Sequence, residues 1–93
     1  MDITIQAMSG VISATGSDGG DPLKTPAALC DFFGGIHLYG AVMTALFQRE
    51  RTGQGQFVDV AMLDTVIPTL TTVMGGYYFG DKTAPPCNGS KHP

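Results

Sequence analysis

An apolar helical run with too little else to cover it dominates this chain. Ile36, Tyr39, Gly40, Met43, Leu46 and Phe47 follow Asp31 at three- and four-residue spacing, the pattern of a helix with a broad apolar face. The spacing predicts a helix from about Phe33 to Arg49. Arg49 and Arg51 meet its terminal carbonyls, and Thr52-Gly53-Gln54-Gly55 turns the chain away. From Gln56 to Met62, Val58, Val60 and Met62 alternate with Phe57 and Asp59, which predicts a half-buried strand. Asp64 then opens a further helix bearing Val66, Ile67, Leu70, Val73, Met74 and Tyr77. Pro68 is tolerable only near its first turn, and Gly75-Gly76 weakens its end.

Before the central run, Asp2 caps a helix from Ile3 to Thr15 that stops at Gly16, with Ile5, Met8 and Ile12 on one face. Ser17 to Leu29 reads as an ordered loop, with turn chemistry at Ser17-Asp18-Gly19-Gly20-Asp21-Pro22 and Pro26 opposing helix at Thr25. Residues 81–93 have almost no apolar side chains and read as an extended tail. A lone strand has two unpaired edges, and these helix faces exceed the partners available to bury them. The expectation is therefore an incomplete α/β unit of helix, loop, helix, strand and helix, a fragment of something larger.

Composition narrows the function classes. The 93 residues (9.7 kDa) allow one small domain, since so short a chain buries only roughly 60% of its unfolded surface. At 43% apolar and 14% charged, charge-driven disorder is excluded. The net charge of -3 and the lack of a basic stripe argue against nucleic acid, because the close basic pair Arg49 and Arg51 is split by Glu50. Met1-Asp2-Ile3 carries no basic leader, and the apolar run from Ile36 to Phe47 is shorter than the roughly 20 residues of a bilayer span. No membrane partner is expected. Cys30 and Cys87 do not form a disulfide framework, so a reducing, cytoplasmic setting is the expectation.

Few side chains suggest chemistry unaided. Asp31 reads most simply as a helix N-cap. Cys30 lacks a neighbouring base and reads as a small buried hydrophobe. His37 lies six residues after Asp31, nearly two helical turns away, and reads as structural. His92 has no second ligand at metal spacing, so no metal site is expected. Gly53-Gln54-Gly55 serves as a helix stop without a ligand.

Four separated segments carry a resemblance. Gln6-Ala7-Met8-Ser9-Gly10, Ala28 to Gly35, Ala45 to Val60 and the closing Asn88-Gly89-Ser90-Lys91-His92-Pro93 are similar to motifs of the family III CoA-transferases, the CaiB/BaiF group. The resemblance implies that residues 1–93 are an internal stretch of a large α/β domain. It also implies interlinked homodimers acting on acyl-CoA and carboxylic acids, with no bound cofactor and the CoA thioester as substrate. It makes Asp31 the nucleophile that attacks the acyl-CoA carbonyl. A mixed anhydride forms, CoA thiolate leaves, and the reaction passes through an aspartyl-CoA thioester. Such a carboxylate must be ionised and poorly solvated, with donors aimed at the oxyanion. Gly34 and Gly35 offer bare backbone for close approach of the thioester, and Phe32-Phe33 offer water exclusion.

The family also contains α-methylacyl-CoA racemases, which move the proton α to the thioester with a His/Asp pair. Their His precedes the aspartate aligned with Asp2; here Met1 stands there, and Ile5-Gln6 replaces their Asn-Tyr. Transfer is the favoured expectation. A third reading is a catalytically silent piece, since no convergent set of groups for adenine and phosphates is present, and the isolated chain is expected to be inactive.

Overall fold

A left-handed glycine divides the first predicted helix. The computed structural model describes residues 1–84 and 86–91. Gly10 has φ 98, a conformation costly for any residue with a Cβ. It closes α1 (Asp2–Ser9) and starts the single turn α2 (Val11–Ala14). The expected helix to Thr15 is thereby corrected to two pieces, and the kink turns Val11 into the core.

The long helix α3 spans Leu29–Thr52. It begins at Leu29 rather than Phe33, so Asp31 lies inside its first turn. It runs to Thr52, past the expected Arg49, and stops at the expected Gly53, which is left-handed (φ 75) and whose N–H donates to the Arg49 carbonyl at 2.7 Å. The Arg51 guanidinium lies 4.8 Å over the Phe47 ring, a cation–π contact on the solvent side.

The strand expected over Gln56 to Met62 is not formed; among the described residues there is no strand. The alternation survives without the ladder, because Val58 and Val60 are half-buried while Phe57 and Asp59 are exposed. A strand requires a neighbour to take its amides, and none is supplied. Met62–Val66 then forms α4, Ile67–Leu70 a 3-10 turn, and Thr71–Phe79 forms α5. Pro68 explains the interruption, since it removes one N–H and crowds the carbonyl four residues back. The helix therefore tightens around it instead of running straight through.

The core is small. Val11, Cys30 and Val66 are buried, and Ile5, Phe33, Met62 and Leu70 pack around them. It sits where α1, the start of α3 and α4 meet. Residues 87–91 are tied back onto the loop after α2. Gly19 N–H donates to the Cys87 carbonyl at 3.1 Å and Gly89 N–H to the Gly16 carbonyl at 3.0 Å. The buried Cys87 thiol faces the Ser13 and Thr15 carbonyls at 3.4 Å, and Lys91 pairs with Asp18. Pro85, His92 and Pro93, including the end of the closing motif, lie outside the described residues.

Beyond its first turns α3 stands away from the core, giving extents of 54 × 29 × 19 Å. An 18-residue window within it has a mean hydropathy of 1.3 and is 6% buried. By length and composition α3 is long enough to cross a membrane, which the shorter run from Ile36 to Phe47 had not suggested.

Candidate active site

The first turn of any α-helix leaves backbone N–H groups without partners inside the helix. At α3 each has a partner. Leu29 N–H donates to the Ala27 carbonyl at 2.8 Å and Phe32 N–H to the Ala28 carbonyl at 3.2 Å. Between them, Cys30 N–H and Asp31 N–H both donate to Asp2 Oδ1, at 2.7 and 3.3 Å. The N-cap residue, Ala28, has no side-chain acceptor. A carboxylate from α1 thus caps α3.

Asp31 is therefore not the cap. Its side chain is exposed on the first turn, and among the described residues no hydrogen bond engages its carboxylate. Capping at this turn falls to another acid, Asp2. Asp2 does not cap its own helix, whose N-cap is Met1 without a side-chain bond; the expected cap of α1 is corrected to a cap of α3.

Asp2 is itself held. Gln6 is buried at 1% exposure; its Oε1 accepts Thr25 N–H at 3.0 Å, while its Nε2 donates to Asp2 Oδ2 at 2.5 Å and to the Thr25 carbonyl at 3.2 Å. Partial burial pushes the Asp2 carboxyl up. The Gln6 amide and the Cys30 and Asp31 N–H groups outweigh it, holding the acid below its ordinary range.

Cys30 lies fully buried beneath this turn. Burial pushes its thiol up, and the Asp2 charge and hydrogen bond, followed by the Asp31 charge, add to that. A thiol held protonated is a poor nucleophile, in keeping with a packing role. His37 is exposed, and its Nδ1 donates to the Phe33 carbonyl at 2.8 Å. Among the described residues no three of His, Cys, Asp and Glu come together as a metal site would require.

An open hollow of about 410 Å³ lies beside Asp31, lined by Asp31, Phe32, Gly35, Ile36 and Tyr39. Asp31 is its one charged side chain, facing an apolar wall. Gly35 belongs to this hollow: a Cβ there would touch nothing within 4 Å. Gly34 does not. A Cβ at Gly34 would come 3.3 Å from Met62 Cγ, so its missing side chain admits α4. Both N–H groups lie inside the helical ladder, and what Gly35 leaves beside Asp31 is space.

Asp2 and Gln6 are the site residues that sequence reasoning missed. The signal was present: Asp2 and Gln6 are four apart on one helix, a spacing at which carboxylate and amide meet. The partner helix, 28 positions away, was not visible.

The whole chain, residues 1–93, matches the family model described as CoA-transferase family III. It is 41% identical over 83 residues to the succinyl-CoA:glutarate CoA-transferase of Mus musculus, covering 89% of this chain and 19% of the relative. The succinate–glutarate CoA-transferase of Agrobacterium fabrum is 37% identical over 93 residues, 99% of this chain and 23% of the relative. A crystal structure of a CaiB/BaiF family protein from Brucella suis superposes with a TM-score of 0.85 at 34% identity, covering 99% of this chain and 24% of that one. The chain belongs to the family III CoA-transferases. It spans about a fifth to a quarter of the length of these relatives.

Proposed function

We propose that this chain is the nucleophile-bearing segment of a CoA-transferase that moves CoA between carboxylic acids, with Asp31 as the attacking group. The observation that carries the reading is the free carboxylate of Asp31, exposed on the first turn of α3 beside an apolar hollow while Asp2 does the capping. One Asp31 oxygen adds to the thioester carbonyl and CoA leaves as thiolate, giving the aspartyl-acyl anhydride. The thiolate then attacks the aspartyl carbonyl and expels the donor acid, giving the aspartyl-CoA thioester. The acceptor carboxylate repeats the two steps in reverse and restores Asp31. The apolar wall beside Asp31 disfavours water at the reacting carbonyl.

In the longer chain, residues 56–61 join a sheet and complete an α/β large domain, a reading supported by the alternating burial of Val58 and Val60. Other parts of the same fold, and a second subunit, cover the apolar face of α3. The two cysteines are free and buried, which suits a cytoplasmic enzyme. Substrates are an acyl-CoA and a short carboxylic acid of the kind named for the relatives.

The full-length protein containing this segment is incubated with succinyl-CoA and glutarate or oxalate, and Asp31 peptides are examined by mass spectrometry after hydroxylamine trapping. Transfer with hydroxamate on Asp31, and loss of at least about 10³-fold of turnover in Asp31→Ala, is expected for a covalent nucleophile. Retained turnover in Asp31→Ala refutes the assignment. Exchange of the α-proton in D2O without CoA transfer would indicate racemase chemistry instead. The isolated chain is expected to show no turnover, because one hollow cannot hold a nucleotide and an acyl group in register.

A further inference from the structure

We propose that Asp2 is the positioning residue for Asp31, an inference that rests on reading Asp31 as the nucleophile. Asp2 Oδ1 takes the N–H of Asp31 itself, at 3.3 Å, together with that of Cys30 at 2.7 Å. The acid therefore fixes the peptide from which the Asp31 side chain departs. It also relieves Asp31 of a competing task. An acidic side chain in the first helical turn can fold back onto free backbone N–H groups, and here those groups are already occupied.

The orientation of Asp2 is set from behind. Thr25 N–H requires an acceptor, so Gln6 presents Oε1 to it at 3.0 Å, and Gln6 Nε2 is left facing Asp2 Oδ2 at 2.5 Å. With Oδ2 engaged, Oδ1 is the oxygen turned to α3. Backbone of the loop, Gln6, Asp2 and the Asp31 peptide thus form one connected series. Gln6 is buried at 1% exposure, which makes it costly for any member to be left unpaired. Asp2 is joined to the Asp31 peptide by one hydrogen bond and acts on the carboxylate only through that backbone.

The test uses the full-length protein. Asp2→Ala is expected to lower kcat between about tenfold and a hundredfold, the scale of an ångström-level misplacement, with KM for acyl-CoA changed less than about twofold. Asp2→Asn keeps an acceptor toward Cys30 and Asp31 but turns its NH2 toward Gln6 Nε2, donor against donor, so it is expected to recover only part of the lost rate. Amide hydrogen exchange at Cys30 and Asp31 is expected to quicken in Asp2→Ala while exchange in the rest of α3 is unchanged. If the Ala variant does not fold, Gln6→Met carries the test: it leaves Asp2 in place but unheld, and kcat should fall several-fold at constant KM. A kcat within twofold of the parent in a folded Asp2→Ala, or unchanged exchange at those two amides, overturns the proposal. Activity in Asp31→Ala would refute the nucleophile while leaving the amide exchange result to stand separately.

Discussion

Adjacent glycines in the first half of α3 do different work, and substitution separates them. Gly35 opens onto the hollow beside Asp31, and a methyl there meets nothing within 4 Å. Alanine is a better helix former than glycine by about 0.5–1 kcal/mol. Gly35→Ala is therefore expected to raise denaturant stability by about that amount and, if Asp31 is the attacking group proposed above, to lower CoA transfer in the full-length protein, because the new methyl intrudes beside the Asp31 carboxylate. Gly34→Ala places its methyl 3.3 Å from Met62 Cγ, and the packing against α4 takes back part of the gain. A Gly34→Ala variant more stable than Gly35→Ala would contradict this division. At this scale the sequence was readable where chemistry is intrinsic. Cys30 without a base reads as a packed thiol, and it is one. That Asp31 is spared from capping depends on a carboxylate 29 positions away, which no local pattern displays.

Helix α3 starts where it does because an acid arrives from another helix. The Asp2 carboxyl is held below its ordinary value of 3.8, so it binds protons more weakly folded than unfolded. Its contribution is fully present above pH about 3.8 and is lost as pH falls through the lower folded value. Amide exchange at Cys30 and Asp31 between pH 5 and pH 2, corrected for intrinsic rates, should show the first turn opening in that acid window. In Asp2→Asn the window should disappear; an unaltered acid transition there would remove Asp2 as its cause. Among the elements, the end of α3 was legible because Gly53 announces itself. Its beginning was not, since Ala28 offers no capping side chain and the acceptor is remote. Gln56 to Met62 shows the opposite failure. Its period of two is plain in the burial of Val58 and Val60, but periodicity describes a face, and a ladder also needs a second backbone.

Taken whole, the molecule leaves more apolar surface uncovered than a small soluble domain ordinarily does. Phe32, Ile36, Tyr39 and Phe47 lie open along α3, and Phe57 and Phe79 are 90% and 94% exposed. The isolated chain is expected to self-associate: light scattering should give a mass above 9.7 kDa that rises with concentration, accompanied by binding of a hydrophobic dye. A monomer at all concentrations with no dye binding would argue against an interior awaiting its cover. The inference of a fragment was available from sequence because surplus apolar faces can be counted against partners. What covers them is not written in these residues.

The bond from Asp2 to the Cys30 amide spans 28 positions, and that separation sets an order of events during synthesis. The acid leaves the ribosome first and has nothing to hold until the start of the long helix has followed it. Closing so large a ring costs chain entropy that only later contacts repay. The first turn of α3 is thus completed only once α1 and the intervening loop are in place, so its order depends on a contact that no stretch of local sequence can make by itself.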